Sequence, residues 1–270
     1  MADGGVRGGA REPADLEGRE RLPAPGLLGG ARVASPTRSP WIVANGWRFL
    51  RRAGGRYACD LPAGKAALAA AEAFAYGADA LLRVDPADLE DLGRMLALFR
   101  LLPAVELPGI ADLGIVDDGS PLAGEVMNLL SRRNLLFRAV PAPAPELAIN
   151  VRLGAKEYPR EDAADPSAFA LKLRRQLTDE RRALRIYGSE VVVGRLTGEG
   201  GRVRLHLLNY GGRELEGLRV RLRGVHREGE AFVAGRGRVA LEDQAVAEEA
   251  TEFSLPSIGA YAVVDLPPAR

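Results

Sequence analysis

The sequence predicts an α/β layer, flavodoxin-like or barrel-end in type, followed by an all-β antiparallel sandwich, with a disordered N-terminus in front. Three observations carry this. Residues 41–187 alternate helix and strand signals, residues 188–270 alternate apolar and polar positions between Gly-rich turns, and residues 1–40 lack Ile, Phe, Tyr and Trp altogether.

Residues 1–40 hold eight Gly, five Pro and six Arg. Such a stretch buries too little apolar surface to offset the entropy of ordering it, so a disordered tail is expected. At Trp41 the texture changes abruptly to WIVANGWRFL. Either a flexible tail precedes the domain, or the start site lies inside a once longer reading frame.

From there the elements follow in turn. Ala63 to Tyr76 is Ala-rich and meets Gly77 as a stop, and Ala80–Val84 reads as a buried strand. Asp85 and Pro86 open the next helix as N-cap and first helical residue, with Asp88 at its positive end. Leu89, Leu92, Leu96 and Phe99 are expected to form its buried face, and Pro103 ends the segment. These units, 41–105, look like the end of a barrel. A second set, 106–187, begins with the strand Leu113–Val116 and a helix capped by Ser120 and opened by Pro121. The strands Leu135–Val140 and Leu147–Leu153 and a helix capped by Asp165 complete it. Strands alternating with helices argue for a parallel sheet with helical cover. In 188–270 the helical spacing disappears. Val203, Leu205 and Leu207 alternate with Arg202, Arg204 and His206, and Leu218, Val220 and Leu222 with Arg219, Arg221 and Arg223. The basic rows are expected on a solvated face.

Composition excludes several classes of chemistry. Cys59 is the single cysteine and His206 and His226 are the only histidines, so neither a disulfide framework nor a Cys/His metal centre is expected. A net charge of +1 offers no global field for nucleic acid or an anionic membrane. No apolar run approaches a bilayer span and the start lacks the apolar core of a secretory signal, which makes the cytoplasm the default compartment. No cofactor motif opens a helix, and no catalytic residue is assigned.

The sharpest local signal is Asp117-Asp118-Gly119-Ser120, at the carboxyl end of a strand and before a helix, where open α/β sheets place ligands. Two carboxylates there suit a sugar hydroxyl, a cation or an amine and repel phosphate. The bland alternative is a turn in which Asp118 and Ser120 satisfy the backbone and cap the helix. Trp41 and Trp47, with Asn45 between them, could stack on a sugar ring or serve as core residues.

Leu255-Pro256-Ser257-Ile258-Gly259-Ala260-Tyr261, the segment Leu205–Leu222 (LHLLNYGGRELEGLRVRL), and Gly77-Ala78-Asp79-Ala80 before a strand carry a resemblance. Together they resemble the C-terminal region of large multi-domain glycoside hydrolases of the β-galactosidase kind, with barrel end, flavodoxin-like module and terminal β-sandwich. The resemblance implies a catalytic barrel with two carboxylates, which about 65 residues of barrel-like sequence cannot supply because a barrel needs roughly 250. It therefore implies a non-catalytic accessory or remnant portion of a carbohydrate-active protein, acting in domain packing or oligomerisation. The expected partners are a second copy of the chain and a carbohydrate ligand. A small-molecule binder or enzyme using Asp117–Ser120 is the alternative, and a pure interaction module the third reading.

Overall fold

In the computed structural model, residues 13–28 and 40–268 are described. Residues 13–28 belong to the fold, against the expected tail. The remainder of that expectation, residues 1–12 and 29–39, lies outside the described residues. A 3₁₀ turn at Pro13–Leu16 leads to β1 (Glu20–Arg21) and β2 (Gly26–Leu27), and β3 (Ile42–Val43) pairs antiparallel with β2. Then come α1 (Gly46–Arg51), β4 (Arg56–Asp60), α2 (Ala66–Tyr76) and β5 (Asp79–Arg83). β1, β4 and β5 form a parallel three-stranded sheet in that order. Leu22 packs in its apolar cluster with Tyr57, Cys59, Leu61, Ala66 and Ala69, which is why the early segment is held despite its composition.

Gly77 stops α2 as expected, in the left-handed region at φ 61°. The start of α2 has a less local cause. Its first turn has no capping side chain of its own, and Asp88 supplies one from 22 residues away. The buried Asp88 carboxylate accepts from the N–H groups of Gly64 at 2.6 Å and of Lys65 and Ala66 at 3.0 Å. Asp88 thus serves a neighbouring helix rather than its own. α3 (Leu89–Leu101) follows the 3₁₀ turn Pro86–Asp88, which Asp85 caps. Its buried residues are Met95 and Leu98, while Leu89 is 57% exposed, so the core face is rotated from the expected one. The cause is a second wall: α3 packs on α2 and also on the C-terminal sheets.

β6 (Leu113–Val116), α4 (Pro121–Arg132), β7 (Phe137–Val140), β8 (Ile149–Val151) and α5 (Pro166–Leu177) form the next unit. Its parallel sheet runs β7-β6-β8. Leu113, Ile115, Met127, Leu130, Phe137, Phe169 and Leu173 share its core, which also takes in Trp47. Ser120 and Asp165 cap α4 and α5 through their side chains, each followed by a proline at the first helical position.

Nine strands complete the chain: β9 (Leu184–Tyr187), β10 (Val192–Glu199), β11 (Arg202–Asn209), β12 (Leu215–Arg223), β13 (Glu230–Val233), β14 (Gly237–Val239), β15 (Glu242–Ala247), β16 (Ala250–Ile258) and β17 (Tyr261–Leu266). They make two antiparallel sheets, β10-β11-β17-β13-β14 and β15-β16-β12-β9. Leu205, Leu207, Val264 and Leu266 from the first sheet meet Leu218, Val220, Phe253 and Leu255 from the second in one apolar cluster. β9, just ahead of residue 188, pairs antiparallel with β12 at the edge of the second sheet.

The alternation in β11 holds, but its second face is not solvated. Val193, Leu208, Tyr261 and Val263 on that face share a cluster with Leu68, Ala71 and Ala75 of α2 and with Met95 and Leu98 of α3. Arg204 and His206 are each 5% exposed there. Burial holds the His206 imidazole down at about 3, with Arg204 and Arg195 nearby adding to the effect. Its Nδ1 is hydrogen-bonded to the Tyr261 hydroxyl at 2.6 Å.

Arg195 of β10 lies on the same face beside a cavity of ≈ 20 Å³ lined by Leu50, Tyr76, Ile110 and Asn134. Its Nε is buried without a partner and no carboxylate pairs with it among the described residues. The Tyr76 ring lies 5.4 Å from the guanidinium. An unpaired cation so placed costs stability. Arg195→Met is expected to raise the unfolding free energy by about 1 kcal/mol, measured by urea titration; a loss of that size would show that Arg195 is compensated.

Candidate functional site

The loop after β6 is built from local rules. Gly119 takes φ 75°, a conformation that favours glycine, and the Asp117 carboxylate accepts from the Gly119 N–H at 3.0 Å. The Asp118 carboxylate accepts from the Ser120 N–H at 2.9 Å, and the Ser120 hydroxyl accepts from the Ala123 N–H at 3.2 Å. Each polar side chain of the motif therefore has a backbone task.

Each carboxylate also has an arginine. Arg51 of α1 grips Asp117 through two bonds of 2.9 Å, Nε to Oδ2 and Nη2 to Oδ1, and its Nη2 also donates to the Ser120 carbonyl at 2.9 Å. The fork geometry ties α1 to the strand end. Arg160 pairs with Asp118. The Ser120 hydroxyl and N–H, with Arg160, hold the Asp118 carboxyl down at about 2.

Asp117 lines a cleft of ≈ 330 Å³ with Glu20, Trp47, Arg48, Arg51 and Arg52. Arg48, Arg51 and Arg52 share one side of α1 at helical spacing, a signal present in GWRFLRR. The Arg48 guanidinium lies 4.3 Å over the Trp47 ring, which is 8% exposed and belongs to the core around α4. Arg52 approaches Glu20 at 3.8 Å. Three guanidiniums against two carboxylates leave the cleft net cationic. Trp41 lies apart from it and is covered by Arg132 at 4.1 Å. The structure thus brings together Asp117, Trp47 and the unforeseen Arg48, Arg51, Arg52 and Glu20. Asp118, Gly119 and Ser120 are not among the residues lining the cleft.

The cleft supplies hydrogen-bond donors, a wall of arginines and two carboxylate groups; its described lining holds no histidine and no thiol. Cys59 is buried, and burial pushes its thiol up to about 11. Among the described residues no group of three His, Cys, Asp or Glu side chains could hold a metal ion, and no helix is long and apolar enough to cross a membrane.

The architecture, with two parallel three-stranded sheets ahead of two antiparallel ones, is similar to that of a solved glycoside hydrolase. The chain is similar to α-L-fucosidase isoenzyme 2 from Paenibacillus thiaminolyticus at a TM-score of 0.61 and 11% identity, over 82% of this chain and 62% of that one. A catalytic mutant of a GH42 β-galactosidase from G. stearothermophilus is similar at a TM-score of 0.45 and 10% identity, over 78% and 54%. The chain thus spans less than two thirds of either enzyme chain. No family model matches it, and no curated protein does.

Proposed function

We propose that this chain is a non-catalytic accessory or remnant portion of a carbohydrate-active protein, working through domain packing or oligomerisation. In this reading β1–β5 are the end of a barrel, β6–β8 with α4 and α5 a flavodoxin-like module, and β9–β17 a terminal β-sandwich. One observation carries it: the described sheet β1-β4-β5 has three parallel strands. A glycosidase barrel uses about eight to hold a facing acid and nucleophile. At the strand ends of this sheet the Asp60 carboxylate is taken up by Arg21 at 2.7 Å and Arg83 at 3.3 Å. The purified chain is expected to give no turnover of aryl glycosides above a buffer blank; turnover abolished by Asp117→Ala would overturn the reading.

The ≈ 330 Å³ cleft favours a second reading, a binder of sugars or small anions centred on Asp117 and the α1 arginines. A thermal-shift panel of neutral sugars, sugar acids and divalent cations separates the two. A stabilising ligand whose effect disappears in Arg48→Ala supports binding in this cleft.

A further inference from the structure

Arg195 carries a charge that no opposite charge of the described residues offsets. Its Nε is buried without a hydrogen-bond partner, and no carboxylate among the described residues acts on it. Burial pulls the guanidinium below its ordinary 12.5, yet an arginine in a protein stays charged. The surroundings hold that charge in place. A Cβ at Gly109 would lie 2.3 Å from Nη2 and 2.5 Å from Nη1, so a glycine is what lets the backbone pass over the guanidinium. The same segment is fixed to β10, since the Ile110 N–H donates to the Leu196 carbonyl at 2.9 Å. Asn134, also beside the cavity, has its amide engaged at both ends. It donates to the Val192 carbonyl at 2.9 Å and accepts from the Gly194 N–H at 2.7 Å.

The ≈ 20 Å³ cavity beside Arg195 admits one water-sized particle, for which roughly 10–15 Å³ suffices. Size and charge together select the occupant. A water fits but carries no charge. Phosphate, sulfate and carboxylates carry charge but are polyatomic and too large. A monatomic anion meets both conditions, and a chloride ion is only slightly larger than a water. The walls choose among the halides. Leu50, Ile110, Leu135 and Phe137 offer nothing to replace a tightly held hydration shell, which disfavours fluoride and leaves chloride or bromide. Tyr76 and Ser131, lining residues as well, each bring a hydroxyl. Arg195 is partly exposed as a residue, which gives an ion a route in from solvent.

We infer that the cavity beside Arg195 is a structural halide site, in which a chloride ion accepts hydrogen bonds from the guanidinium and supplies its counter-charge. The site is independent of whether the chain is catalytic. The stabilisation expected of Arg195→Met therefore belongs to chloride-free buffer. Urea titrations of the full-length wild type and of Arg195→Met test this in sodium chloride and, at equal ionic strength, in sodium fluoride. Taking the ratio of the two salts within each protein, and then comparing the proteins, removes general salt effects. At 0.2 M, chloride is expected to lower the wild-type unfolding constant about tenfold relative to fluoride, for a dissociation constant of about 20 mM. Beyond the general effect it should leave Arg195→Met unchanged, so the advantage of the variant disappears in chloride. Bromide should act as chloride does. A difference between the two proteins that is the same in every salt overturns the inference. Crystals of the wild type grown with sodium bromide give a direct readout that needs no variant. An anomalous peak at the bromine edge is expected within hydrogen-bond reach of the Arg195 guanidinium, and a map without one there overturns the inference.

Discussion

Replacing Glu72 by alanine is expected to lower the unfolding free energy by about 3 kcal/mol. Glu72 lies on α2 with 1% of its surface exposed. Its Oε1 accepts from the N–H groups of Asn45 at 2.6 Å and Gly46 at 3.1 Å and from the Tyr210 hydroxyl at 2.5 Å. Its Oε2 accepts from the Asn45 amide at 3.3 Å. One carboxylate therefore closes the start of α1 and anchors the turn after β11. Alanine would strand the Asn45 and Gly46 N–H groups and the Tyr210 hydroxyl, leave the Asn45 amide only the Pro23 carbonyl, and open a hole between three elements. Each stranded donor costs roughly 1–3 kcal/mol. Relief from burying a charge works the other way and holds the net below the sum.

The pH dependence separates the charge from the hydrogen bonds. Burial raises the Glu72 pKa above its ordinary 4.5, outweighing the hydrogen bonds that lower it. Between those two values the folded chain binds more protons at this site than the unfolded one. Stability from the site is thus full below pH 4.5 and declines as pH rises through the raised value. Glu72→Gln keeps an acceptor oxygen for Asn45, Gly46 and Tyr210 and sets an amide against the Asn45 amide, a cost of about 1 kcal/mol at low pH. The variant should lack the Glu72 contribution to the slope, so its deficit should shrink as pH rises. Asp112, raised mainly by burial as well, is present in both proteins and cancels in the difference. Urea titrations from pH 4 to 7 decide this; a deficit that stays constant would show that Glu72 titrates alike in the folded and the unfolded chain.

What the sequence disclosed follows a physical divide. Caps are local, so Asp85, Ser120 and Asp165 were legible and each accepts the backbone bonds expected of a cap. The alternation of β11 and β12 was legible for the same reason. What covers each face is decided by chain far away. Arg204 and His206 read as a wet row because nothing near them in sequence shows α2 and α3 arriving on that side. The turn Asp117–Ser120 was legible as a turn, whereas Arg51 and Arg160 stand 66 and 42 residues from their carboxylates. Strand β1 has two residues, too few to show a period, and β15 is a polar, mostly exposed strand at a sheet edge. Both depend on neighbours for their conformation and carry little signal of their own.

The buried pair beneath that misread row gives the other large expected effect. Arg204 and Asp265 face each other across β11 and β17, each 5% exposed. Arg204 donates from Nε to Asp265 Oδ1 at 2.6 Å and from Nη2 to Oδ2 at 2.8 Å. The same Nη2 donates to the Pro103 carbonyl at 2.8 Å, which ties the segment after α3 to the sheet. The fork satisfies both charges, so the pair as a whole adds little over an apolar one of the same volume, whereas half of it is costly. Asp265→Ala is expected to destabilise by about 3–5 kcal/mol, because it strands a buried guanidinium near Tyr261 with the Pro103 carbonyl for company. Arg204→Met together with Asp265→Leu should recover most of that loss, since both polar partners leave together. A double variant as unstable as the single one would mean that the bond to Pro103, and not the ion pair, holds α3 against the sheet. Arg204→Met alone then discriminates further: it loses the carbonyl bond and strands the carboxylate, so it should be the least stable of the three.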